Sequence, residues 1–137
     1  MANSLYDSGR ESFLGQNPAL DFDTDTIKIV CIDHADDTPN VATDNALDDL
    51  LVASRVATSG ALVGKTVVAG VADATDVTLA AVTGDPFESL NFYKDSGLES
   101  TSYLFLYIDT ATGLPCTPNG ADINILFDNG ANKIFKL

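Results

Sequence analysis

From Thr26 to the C-terminus the chain is a succession of short runs rich in Val, Ile, Thr and aromatic residues, each closed by Gly, Pro, Asn or Asp. That texture leaves little choice of fold. β-Branched and aromatic residues favour strands, and a turn signal every ten residues or so leaves no room for long helices. The runs TIKIVCID, RVATSGAL, KTVVAGV, DVTLAAV, SLNFYKD, TSYLFLYID, ADINILFD and NKIFKL are strand candidates. TIKIVCID is apolar on both faces, which predicts cover on both sides. In YLFLYI, alternation predicts Tyr103, Phe105 and Tyr107 on one face and Leu104, Leu106 and Ile108 on the other, as in a central strand between two packed layers. Asn129-Gly130 between the last two runs predicts a hairpin turn. An acidic loop over residues 34–45 precedes a helical turn within residues 46–52. The whole reads as all-β, a β-sandwich or jelly roll, with a barrel as the nearest alternative.

The first residues differ from the rest. Residues 1–20 read as an N-terminal arm or short helix: Ser4 is placed to cap a helix through Leu14, Leu5, Phe13 and Leu14 offer a partial apolar face, and Gly15 with Asn17-Pro18 ends it. Residues 21–137 then form a single β-sandwich domain. A chain of 137 residues with 45% hydrophobic content is long enough to bury one core and too apolar to be disordered.

A net charge of −13, with only seven Lys and Arg scattered along the chain, disfavours nucleic acid as a partner. The N-terminus lacks a basic segment followed by an apolar run, and no stretch approaches the roughly 18 apolar residues that span a bilayer, so a soluble chain not processed by secretion is expected. Cys31 and Cys116 lie far apart in sequence within apolar or Pro-flanked stretches. Buried free thiols suit them better than a disulfide, and with His34 as the single histidine they do not make a zinc site.

One motif suggests a nucleotide enzyme. Residues 58–66, TSGALVGKT, place Gly64, Lys65 and Thr66 as a phosphate-binding loop would, and the run YLFLYID ends in Asp109, where such enzymes hold magnesium. Ser59, however, stands where the first glycine belongs, and VVAGVADATDVT follows where a helix should open. The segment is therefore expected to be a strand, a Gly-containing turn and the start of the next strand.

The remaining chemistry-bearing clusters are weak. Asp21, Asp23 and Asp25 have the spacing of the first ligands in a calcium loop, but the sixth position lacks Gly and the twelfth is Ile32. Asp33, Asp36 and Asp37 with His34 read as a solvated acidic cluster. A Cys116–His34 nucleophile pair has no support from its surroundings. Phe92, Tyr93, Tyr103, Phe105 and Tyr107 read as core packing rather than a sugar platform. No catalytic, cofactor-binding or metal-binding residue is assigned and no cofactor is called for, so the expectation is a non-enzymatic protein that works through its surface.

Over nearly its whole length the chain resembles small virion structural proteins of tailed bacteriophages and prophages. The resemblance rests on MANSLYDSGRESFLG, DTIKIVCID, RVATSGAL with GKTVVAGVADATDVTLAAVTGD, YKDSGLESTSYLFLYIDTATGLPCTPNG and DINILFDNGANKIFKL. TATGLP with TPNG, and DNGANKIFKL, are its most specific parts. The chain departs from the family pattern in residues 34–45 and around Pro86-Phe87. The resemblance implies a capsid cement or decoration protein on the exterior of the head, made in the bacterial host cytoplasm. Its implied partners are the major capsid protein and further copies of itself, as a homodimer or homotrimer. A tail, baseplate or fibre component contacting the host surface is the alternative. The expected contacts are made by residues 1–20 and by exposed edges near Leu137.

Overall fold

The computed structural model describes residues 2–16 and 18–137. In chain order the elements are β1 (Ser4–Leu5), α1 (Asp7–Phe13), β2 (Ile27–Ile32), β3 (Arg55–Thr58), β4 (Thr66–Val68), β5 (Val71–Asp73), β6 (Val77–Leu79), β7 (Ser89–Lys94), β8 (Leu104–Ile108), β9 (Ile123–Ile125) and β10 (Phe135–Lys136). Short 3-10 turns cover Leu47–Asp49, Val52–Ser54 and Glu99–Thr101. Among the described residues the strands form three antiparallel sheets, ordered β1-β8-β7-β2-β3, β10-β5-β4 and β6-β9. The fold is all-β and sandwich-like.

The five-stranded sheet is covered on both faces, as the apolar character of TIKIVCID predicts. Ile27, Ile29 and Cys31 of β2 join Leu90, Phe92 and Phe105 in the larger core, against which the two smaller sheets pack. Val30 and Ile32 point the other way, into a second core with Tyr6, Leu47, Leu50, Tyr93, Leu104 and Tyr107. The loop over residues 34–54 supplies this second cover. Arg55 fastens it: its guanidinium donates to the Leu47 and Leu50 carbonyls at 2.7 Å each and pairs with Glu99 at 2.8 Å.

Four expectations need correction. The helix does not begin at Ser4, because Ser4 and Leu5 pair with Tyr107 and Leu106 of β8 and spend their backbone groups on the sheet. Helix α1 starts at Asp7, without a side-chain cap, and Leu14 projects into solvent at 84% exposure instead of extending the apolar face. Asn17, part of the expected stop signal, lies outside the described residues. Of the two readings of residues 1–20, arm or short helix, the short helix is the one found, and it is built into the body: Tyr6 is fully buried, and α1 continues along the β8 edge where β1 stops.

The run KTVVAGV is two strands rather than one. The chain reverses at Ala69-Gly70, with φ of 52° and 77°, so that Val68 pairs with Val71 across a two-residue turn. Positive φ at both central residues is the geometry that matches strand twist in a tight hairpin. Conversely, Asn129-Gly130 does not make a hairpin. β9 pairs with β6 and β10 with β5, so the chain between them crosses from one small sheet to the other.

The alternation of YLFLYI is also broken. Phe92 pairs with Leu106 but Tyr93 pairs with Leu104, which leaves Phe105 as an extra residue in β8. Such a bulge turns consecutive side chains to one side. Phe105 and Leu106 accordingly both enter the larger core, while Leu104 and Tyr107 enter the second.

Candidate functional site

The sequence clusters resolve into structural roles. In TSGALVGKT, the Ser59 hydroxyl accepts from the Ile29 amide at 2.9 Å and donates to the Gly60 carbonyl at 2.8 Å. Lys65 Nζ donates to the backbone carbonyl of Asp25, and Thr66 opens β4. No helix follows the loop, so its amides do not converge on a phosphate. Asp109 accepts from the Tyr107 hydroxyl at 3.1 Å and from Thr110 at 2.9 Å, at the end of β8.

Among Asp21, Asp23 and Asp25, the last is committed to the fold. Its carboxylate accepts from the Asp21 amide at 2.7 Å and pairs with Lys94 at 2.9 Å. Asp21 and Asp23 instead lie exposed beside one another, and the interaction of the two carboxyls lowers Asp21 and raises Asp23 from the ordinary range.

The second acidic cluster is redistributed. Asp37 leaves it to accept from the Leu51 amide at 2.8 Å. Asp33, Asp36 and Asp85 have carboxylate oxygens within 4.8 Å of one another. Asp33 is buried and accepts from the Ala35 amide at 2.8 Å, which closes a local turn. Asp85 was invisible to sequence reasoning, because it lies 49 positions beyond Asp36 and only the fold brings it there.

His34 belongs to a buried polar line rather than to Cys116. Tyr6 donates to Asn91 Oδ1 at 2.6 Å, Asn91 Nδ2 donates to Ser89 Oγ at 2.9 Å, and Ser89 Oγ lies 2.9 Å from His34 Nε2. The Ser89 hydroxyl, with one proton and two lone pairs, is thus shared between Asn91 and the imidazole, and the tautomer of His34 sets the direction of the second bond. His34 stacks on Tyr107 with ring centroids 6.2 Å apart. Ser89 and Asn91 are fully buried, so this line ties β7 to the N-terminus and the acidic loop and gives Ser89 no access to a substrate.

The two thiols are free and share the larger core. Burial, with Cys116 beside it, pushes the Cys31 thiol up to about 12. A thiol held in that state is a packing group, not a nucleophile.

Surface apolar features remain. Phe87, Phe92, Ile108, Ile123 and Phe127 line a groove of about 550 Å³ between the five-stranded sheet and the C-terminal segment. A second cleft of about 380 Å³ opens between Phe13 and Phe22 on one side and Val67, Ala72 and Phe135 of the three-stranded sheet on the other. Adjacent apolar side chains are exposed in two places, Leu51–Val52 at 56% and 73% and Val67–Val68 at 47% and 70%. Sequence reasoning missed both, because residues 46–52 read as a helical turn and the run from Lys65 to Val71 as one strand.

No protein-family model and no curated protein matches this sequence.

Proposed function

We propose that this protein is a non-enzymatic structural component of a tailed-phage virion, a cement or decoration protein that binds the outer head shell and ties neighbouring major capsid subunits together. The observation that carries the reading is the pair of exposed apolar dipeptides, Leu51–Val52 and Val67–Val68, standing out of a body of net charge −13. Isolated apolar residues on a surface are ordinary, whereas adjacent ones without cover are a feature of contact surfaces. A core on each face of the five-stranded sheet and a buried polar line from Tyr6 to His34 give a rigid body, which suits a part that transmits load between neighbours. The acidic balance suits a position away from the packaged DNA. Resemblance to small virion proteins supplies the identity of the partner.

Because Tyr6 and α1 are integral to the core, contact through residues 1–20 would be made by the exposed outer side of that segment and not by a free arm. Co-sedimentation of the purified protein with heads lacking it tests the proposal. Saturable pelleting at a fixed number of copies per capsid subunit is expected, and no pelleting above background contradicts it.

A further inference from the structure

The three-stranded sheet ends in an open edge whose hydrogen-bonding pattern can be read from its neighbours. The Ile134 amide donates to the Ala72 carbonyl at 3.1 Å, so the backbone of Ala72 faces β10. Val67 lies directly opposite Ala72 on the other side, and in an antiparallel ladder such a pair exchanges no bonds. The N–H and C=O of Val67 therefore point outward, and among the described residues no strand pairs with that side.

The side chains continue the pattern. Val67, Ala72 and Phe135 are aligned partners across β4, β5 and β10, and all three line the 380 Å³ cleft. A residue paired with Val67 on an added strand would point to the same face and lie about 4.8 Å further along that row, at the cleft. Asp21 and Asp23 line the same cleft and are exposed.

Some other edges are guarded: β10 carries Lys136 and β1 runs directly into α1, whereas β6 and β9 are uncharged but only partly exposed, and Arg55 of β3 is turned onto the Leu47 and Leu50 carbonyls. Charged residues on an edge are how sheets discourage pairing. β4 has the sequence Thr-Val-Val, is exposed throughout and carries none; the neighbouring Lys65 is turned to the Asp25 carbonyl.

We propose that β4 is a strand-addition site that takes an extended segment of a partner protein, an aliphatic side chain entering the cleft beside Val67 and a Lys or Arg two residues away meeting Asp21 and Asp23. The backbone supplies pairing at Val67, the row of side chains supplies the pocket, and the carboxyls supply charge complementarity to a basic segment. The proposal concerns a peptide in solution, so it stands or falls separately from the placement of the protein on a virion.

The test is an amide-resolved NMR titration of the whole protein with a blocked heptapeptide that has valine at its centre, lysines two residues to either side and threonines elsewhere. Shifts concentrated at residues 65–68 and 20–23 are expected, with binding at least tenfold weaker for the peptide carrying glutamates in place of lysines. Val67→Pro removes only an outward N–H and should fold, since proline is tolerated where an edge N–H faces solvent. It is expected to weaken binding at least tenfold, and Val67→Lys, which keeps the backbone and adds a repelling charge, should do the same. D21N/D23N should weaken binding several-fold and flatten its salt dependence. Unchanged affinity in both Val67 variants, shifts elsewhere on the molecule, or no shifts at millimolar peptide would overturn the proposal. So would a dimer lost in Val67→Pro, which would assign the edge to a second copy of this chain.

Discussion

Gly9 of α1 lies against the backbone of Phe105, so that a Cβ built on it would fall 2.5 Å from the Phe105 Cα and 2.7 Å from its carbonyl oxygen. Alanine in place of glycine inside a helix ordinarily gains about 1 kcal/mol from backbone entropy. Here the obstruction is main chain on the bulged strand and cannot rotate aside, and overpacking of this kind costs about 3 kcal/mol. Gly9→Ala is therefore expected to lose about 2 kcal/mol net by urea denaturation, while Arg10→Ala on the exposed side of the same helix stays within about 0.5 kcal/mol of the parent.

The β4–β5 turn makes the opposite prediction. Ala69 holds a φ of 52°, a conformation that costs L-residues with a Cβ about 1 kcal/mol and that Asn tolerates. Ala69→Asn should raise stability by about 0.5–1 kcal/mol in the same denaturation experiment. Gly70→Ala should lower it by more than about 1 kcal/mol, because φ is 77° and the added Cβ would come 2.9 Å from the Leu137 carbonyl oxygen.

The polar line through the second core can be dissected by a double-mutant cycle. Tyr6→Phe leaves Asn91 Oδ1 buried without its 2.6 Å donor, and Asn91→Ala strands the Tyr6 hydroxyl and opens a cavity. Each is expected to cost about 1–3 kcal/mol, and the double variant to cost less than the sum because one bond serves both residues. Additive losses would mean that the two side chains act independently.

Alkaline pH should destabilise the fold. Burial raises the Cys31 thiol to about 12 and raises the Tyr6 and Tyr107 phenols further, the latter with help from Asp109. These groups remain protonated in the folded state at pH values where the unfolded chain has released its protons, so folding is favoured below their ordinary pKa values and loses ground above them. Thermal midpoints are expected to hold steady to about pH 8.5 and to fall between about pH 9 and 12. Cys31→Ser would test little, since it buries a new hydroxyl; Cys31→Ala should remove the onset near pH 9 while leaving the tyrosine part.

Much of the fold was legible because it rests on local composition. Ile27–Ile32 is apolar on both faces, and no other arrangement than a doubly covered strand satisfies it. What could not be read depended on partners distant in sequence. Ser4 resembles a helix cap until Tyr107 competes for its backbone, and Asn129-Gly130 resembles a hairpin until β6 and β5 claim the flanking strands. The bulge at Phe105 follows from pairing with β7, so alternation within YLFLYI could not reveal it. The exposed edge was hidden for a related reason: Ala69-Gly70 lacks the usual Asn or second Gly at the turn, and the run from Lys65 to Val71 reads as one buried strand instead of a hairpin with a bare side. The groups that could have formed a catalytic or metal cluster were visible one by one, but only the fold shows Asp25, Asp37 and Ser59 spent on backbone amides.

The central claim is that this protein is a structural part of a virion head. Immunogold labelling of intact virions with an antibody to this protein, scored by position on the particle, tests it most directly. Gold distributed over the head shell is the predicted result, whereas gold confined to the tail, or its absence from particles that carry the protein's coding sequence, would contradict the account.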